Sequence, residues 1–112
     1  MNDTLMQYLE TAIWSSCDEN GDHFKADLSD FTPEAIEQAK KDLADFIEQA
    51  GDLLEDLDMT DVAHDLWLTR NHHGAGFWDR GLGDIGKKLT DIAHSFGELG
   101  LYKDDDSQVH FE

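Results

Sequence analysis

A mainly α fold of the α+β class is what this sequence predicts: a compact bundle of about four helices with a small C-terminal β-hairpin. Three observations lead there. Apolar residues recur at helical spacing in four separate stretches. Capping residues and glycines bound those stretches. The segment 101–111 breaks the pattern with two short runs around an Asp-Asp-Asp-Ser turn.

The first helix is expected over residues 4–16. Leu5, Leu9, Ala12 and Ile13, with neighbouring Met6 and Trp14, form its apolar stripe. Asn2, Asp3 or Thr4 can cap it. Residues 17–31 read as a loop pinned to the core by Phe24, Leu28 and Phe31. Its Asp18-Glu19-Asn20-Gly21-Asp22 run does not fit a calcium loop. That loop needs glycine at the sixth position and glutamate at the twelfth, whereas Gly21 is fourth from Asp18 and Ser29 is twelfth.

The second helix is the clearest element. Thr32 is placed to cap it, and Pro33 falls at the first helical position, where a missing N–H costs nothing. Ile36, Ala39, Leu43, Phe46, Ala50, Leu53 and Leu57 alternate in spacing between three and four. Ile47 and Leu54 widen the stripe, which favours a globular core. The helix is expected to continue to residue 57, with Gly51 as a possible bend.

A third helix is expected over about Thr60 to Arg70, capped by Asp58 or Thr60. A glycine-rich loop follows at 71–83, carrying His72, His73, Phe77, Trp78, Asp79 and Arg80. Phe77 and Trp78 are expected to insert between helices, with Asp79 and Arg80 pairing or capping. Asn71 and His73 are expected to satisfy buried backbone groups. The fourth helix is expected to be capped by Asp84 and to use Ile85, Leu89, Ile92, Phe96 and Leu99 as its stripe. Gly97 and Gly100 mark its end. Trp14, Trp67 and Trp78 are all expected to contribute large buried surfaces to a single domain spanning residues 1–112.

Charge is the main functional signal. The chain holds 26 acidic and 8 basic residues, a formal net charge of −18. Residues 1–66 contribute −15 of it and residues 67–112 contribute −3. Such a field disfavours direct binding of nucleic acid or an anionic membrane and favours a positively charged partner. The lopsidedness points to one interacting face. The candidate face is the outer side of the second helix, with Glu34, Glu37, Asp45, Glu48, Asp52 and Glu55, joined by Asp18, Glu19 and Asp22 from the loop. Asp45, Glu48, Asp52 and Glu55 step by three, four and three along the sequence. Each step advances a helix by about 5–6 Å, comparable to the spacing of phosphates along a strand. A solvated helix face, short of lysine to balance it, is the plainer alternative.

Cys17 is the only cysteine, so no internal disulfide is possible, which suits a reducing cytoplasm. The N-terminus lacks a signal-peptide pattern, and no apolar run is long enough for a bilayer. No motif calls for a cofactor. Gly81-Leu82-Gly83-Asp84-Ile85-Gly86 matches GxGxxG, but no strand precedes it, which excludes dinucleotide binding. Histidine and carboxylate at His64, His73 and Asp79 supply an alternative, a small metal-dependent enzyme or metal-binding protein. Their spacing fits no standard zinc motif. A packing role for the loop is the stronger reading, and the protein is not expected to be an enzyme.

The segment from His64 through Leu66-Trp67-Leu68-Thr69-Arg70-Asn71 and Gly76-Phe77-Trp78-Asp79-Arg80 to Gly81 resembles the signature of a family of small acidic proteins encoded by bacteriophages and prophages. The resemblance extends over most of the chain and carries no activity with it. In charge and size, though not in motif, the chain is similar to phage DNA-mimic inhibitors: anti-restriction proteins, uracil-DNA glycosylase inhibitors and acidic anti-CRISPR proteins. Together these imply a non-enzymatic inhibitor that occupies the basic groove of a host DNA-processing or defence protein, in the cytoplasm of the bacterial host. A phage accessory or assembly protein, dimeric through the helix seam, is the other alternative.

Overall fold

Capping chemistry starts most of the helices in the computed structural model, which describes residues 2–17, 20–73 and 76–112. Among these residues there are four α-helices and one two-stranded antiparallel sheet. Asn2 starts α1, Asp3–Ser15, by accepting a hydrogen bond from the Leu5 amide at 2.8 Å. Thr32 does the same for α2, Pro33–Ala50, through the Ala35 amide at 3.1 Å. Asp58 caps α3, Met59–Arg70, through the amides of Thr60 and Asp61. The exception is α4, Asp84–Ser95. Gly83, not Asp84, is its cap, at φ +61°, and no side chain caps it. A left-handed residue there suits glycine, so Asp84 becomes the first helical residue.

The long second helix stops earlier than expected. It ends at Ala50, because Gly51 turns the chain at φ +51°, and a 3-10 helix follows over Gly51–Leu54. The apolar seam continues past that corner: Leu54 is buried, and Leu53 and Leu57 are half-buried against the core. The acidic spacing does not continue as a regular helical row. Asp45 and Glu48 lie on α2, Asp52 in the 3-10 helix and Glu55 at its end.

The core runs through all four helices. Tyr8 and Trp67 meet edge-on at 5.5 Å between α1 and α3, and the Trp67 indole donates to Ser15 Oγ at 2.8 Å. Phe46 of α2 stacks on Phe77 at 5.6 Å. Full burial of each such side chain contributes about 1.5–3 kcal/mol. Two of the three expected tryptophans are not in this core. Trp14 is 64% exposed and Trp78 58% exposed. Leu5, Tyr8, Leu9 and Ala12 form the buried side of α1, and Trp14 lies two residues, nearly half a turn, beyond it. In the 3-10 helix Phe77–Asp79, Phe77 faces inward, and its neighbour Trp78 is turned about a third of a circle away. Ile85 is likewise exposed, because Gly86, Leu89 and Ala93 form the buried side of α4.

The expected hairpin is present. Strands β1, Leu101–Lys103, and β2, Val109–Phe111, pair with Tyr102 opposite His110. Val109 is fully buried and also bridges to Phe31. The Thr32 amide donates to the Val109 carbonyl at 3.1 Å, which anchors the hairpin at the start of α2.

Candidate interaction surface

The two sides of α2 divide its residues cleanly. Ala35, Ala39, Asp42, Leu43, Phe46 and Ala50 are buried. Glu34, Glu37 and Glu48 are exposed, and Asp45 is half-buried, on the opposite arc. Lys40 reaches Glu37 at 3.3 Å, and Lys41 reaches Asp45 at 2.8 Å. Both pairs are solvent-exposed and so contribute little to stability. The Asp45 contact, with its hydrogen bond first, raises the Lys41 ammonium above its ordinary pKa. Asp52 and Glu55 are exposed beyond the Gly51 corner. The structure therefore groups Glu34, Glu37, Asp45 and Glu48 on one helix face and sets Asp52 and Glu55 on the segment that follows. Asp22 is exposed in the loop, beside a 520 Å³ groove shared with Phe24, Lys25 and Lys103. Asp18 and Glu19 lie outside the described residues.

Half of the 8 basic residues, Lys40, Lys41, Arg70 and Arg80, are engaged by nearby carboxylates. Arg70 is buried. Its Nη1 donates to Asp42 Oδ2 at 2.8 Å and to the Tyr8 hydroxyl at 2.9 Å. Its other nitrogens donate to the carbonyls of Phe96 and Gly97. Gln38 donates to the second Asp42 oxygen at 2.8 Å. Burial opposes the Arg70 charge, but Tyr8 and Asp42 outweigh it and hold the guanidinium above its ordinary value. Burial pushes the Tyr8 hydroxyl up to about 12. A buried charge pair is tolerable only when its polar atoms are satisfied in this way. Arg80 forms a fork to Asp65, with contacts at 3.0 and 2.7 Å. Asp65 is buried to 4% side-chain exposure, while Arg80 remains half-exposed. The Asp65 hydrogen bond raises the Arg80 pKa most, followed by its charge. Arg80 thus pairs as expected, but with α3 rather than with Asp79.

The glycine-rich loop is held by close backbone packing. A Cβ at Gly76 would collide with Thr69 Oγ1, and one at Gly86 would lie 2.9 Å from the Phe77 carbonyl oxygen. The Thr69 hydroxyl accepts from the Phe77 amide at 3.3 Å. Asn71 meets expectation, donating to the Trp67 carbonyl and accepting from the Leu99 amide at 2.8 Å. The His73 side chain is exposed, and only its backbone N–H bonds inward, to the Leu68 carbonyl.

No metal centre assembles from His64, His73 and Asp79. Among the described residues, no group of three His, Cys, Asp or Glu side chains is placed to hold a metal ion. His64 faces α1, with Nδ1 3.0 Å from Thr11 Oγ1 and its ring against Trp14. Asp79 is exposed in its 3-10 helix. The buried Asp42–Arg70 pair and the half-exposed Asp65–Arg80 pair were not singled out from sequence. Their signal was positional, since Asp42 borders the apolar stripe of its helix. Among the described residues, no helix is long and apolar enough to cross a membrane. Comparison with family models, curated proteins and solved structures finds no match to this chain.

Proposed function

We propose that this protein is a non-enzymatic acidic inhibitor of phage type. It would act as a DNA mimic, occupying the basic groove of a host DNA-processing or defence protein in the bacterial cytoplasm. The observation that carries this reading is the fate of the cations. Of the 8 basic residues, Arg70 is spent in the core on Asp42, and Arg80 is spent on Asp65. Lys40 and Lys41 are paired with neighbours on α2 itself. Among the described residues, the outer carboxylates Glu34, Glu48, Asp52 and Glu55 have no cation within ion-pair distance and meet solvent unbalanced. A field of that kind speeds encounter with a basic groove and makes binding strongly salt-dependent. The long axis of 44 Å equals about 13 base-pair steps of 3.4 Å, a usable length for covering such a groove. The resemblance of the 64–81 segment to small acidic phage proteins supports the phage-type part of the reading and carries no activity of its own.

A tagged pull-down from bacterial lysate, with and without excess duplex DNA, tests it. The expected capture is a DNA-processing or defence protein that the DNA displaces. Reversing Glu48, Asp52 and Glu55 to lysine is expected to weaken that capture at least tenfold while leaving the melting temperature near that of the wild type. Charged pairs across protein interfaces have coupling energies large enough for such an effect. Undiminished affinity in the triple variant removes Glu48, Asp52 and Glu55 from the reading.

A further inference from the structure

Trp14 is the most exposed large apolar side chain among the described residues, at 64%. It is nevertheless set in place. Its ring leans on His64 at 5.8 Å with a 35° tilt, and its exposure leaves the outer face to solvent. His64 is fixed in turn by Thr11. The Thr11 hydroxyl has one proton, and it goes to the Gln7 carbonyl at 2.8 Å, which can only accept. The Gln7 amide donates to the same oxygen at 3.0 Å. The Thr11 oxygen in turn lies 3.0 Å from His64 Nδ1, which holds the ring in position.

Carboxylates flank this ledge. Glu10 lies four residues before Trp14 on α1, and Asp61 three residues before His64 on α3. Both spacings bring side chains onto one helix face, and both residues are exposed. An open aromatic face and two flanking acids match a planar cation that donates several hydrogen bonds. Guanidinium fits better than ammonium, because it stacks flat on an indole while its edges donate to carboxylate.

We propose that Trp14 and His64 form a docking ledge for an arginine side chain of the protein partner. The proposal rests on the reading above that the partner surface is cationic. It adds where that surface anchors and which cation it must present.

Two synthetic peptides, one alternating arginine with serine and the other lysine with serine, serve as probes at low ionic strength. Binding is read by titration calorimetry and by the indole N–H resonances of the full chain. The arginine peptide is expected to bind about fourfold more tightly, the scale of an exposed cation–π contact. The Trp14 indole signal is expected to shift more than those of Trp67 and Trp78. Trp14→Leu is expected to remove the preference while retaining salt-dependent binding of both peptides, and Trp78→Leu is expected to keep it. Equal binding of the two peptides by the wild type, a preference that survives Trp14→Leu, or an unmoved Trp14 resonance overturns the ledge and leaves the acidic-surface reading standing. Binding of neither peptide overturns both. The wild-type resonance reading requires no variant, so it decides the matter even if Trp14→Leu folds poorly.

Discussion

The outer face of α2 and the α3–loop–α4 region use the same residue types in opposite ways. On α2, Glu34, Glu37 and Glu48 stand in solvent, and the ion pairs on this face, Lys40 to Glu37 and Lys41 to Asp45, are exposed. Across the core, Asp42 and Asp65 are buried and held by guanidinium groups with short, directed bonds. Carboxylates of the first kind load the fold with self-repulsion. Those of the second kind fix how the helices sit against one another. The comparison teaches that the net charge understates how differently the chain's two cation pools are used. Both arginines serve the architecture, and the exposed acids are left to the lysines.

The sharpest way to break that division is to remove Arg70. In Arg70→Met, Asp42 loses its cation and stays buried. Breaking one partner of a buried pair costs about 3–5 kcal/mol, a large share of what a domain of this size holds. Urea denaturation followed by circular dichroism should show a large fall in midpoint. Adding Asp42→Leu to Arg70→Met should recover much of it, because paired apolar replacements are often neutral. A double variant no better than the single one would mean that Arg70 acts through its bonds to the Phe96 and Gly97 carbonyls instead.

Next in size is the glycine approach. Gly86→Ala places a methyl 2.9 Å from the Phe77 carbonyl oxygen, and backbone cannot swing aside as a side-chain tip can. Overpacking of this kind costs about 1–3 kcal/mol, against the small gain alanine brings inside a helix. A thermal melt decides between them. A stabilised Gly86→Ala protein would show that the 3-10 helix Phe77–Asp79 can shift away from α4, and that the loop is less firmly specified than its contacts indicate.

Much of the fold is legible in the sequence, because periodicity and caps are local signals. The α2 stripe, the Thr32-Pro33 start, the Asp58 cap and the hairpin at 101–111 all stand where they are expected. Two kinds of feature are not legible. One is the orientation of a residue at the margin of a stripe. Trp14 and Trp78 are large and apolar, so composition assigns them to the core, but helix phase turns both outward. The other is pairing across long separations. Asp42 and Arg70 are 28 residues apart, and neither residue type reveals its partner. For the candidate surface, the sequence shows which acids share an α2 face. It does not show that Gly51 ends the helix before Asp52 and Glu55 can extend the row.

The smallest expected effect sharpens the same comparison from the acid side. Unpartnered surface carboxylates gain by protonation, since it relieves repulsion. Asp58 and Asp104 should behave oppositely. The Thr60 hydroxyl, then the amides of Thr60 and Asp61, hold Asp58 below the usual carboxylate range. The His110 side chain, lying 2.7 Å away, does so for Asp104, with help from the amides of Gln108 and Asp106. A folded-state pKa below the unfolded value gives a contribution fully present above about 3.9 and lost as the pH falls through the folded value. Wild type should therefore melt slightly above Asp104→Asn at neutral pH. That gap should close as the pH is lowered below about 3.9. Hydrogen exchange should report where it closes, with the Asp106 and Gln108 amides losing protection before the core of α3 does. A gap that persists unchanged to the acid limit would show that asparagine disturbs the 104–108 turn by its shape rather than by its missing charge.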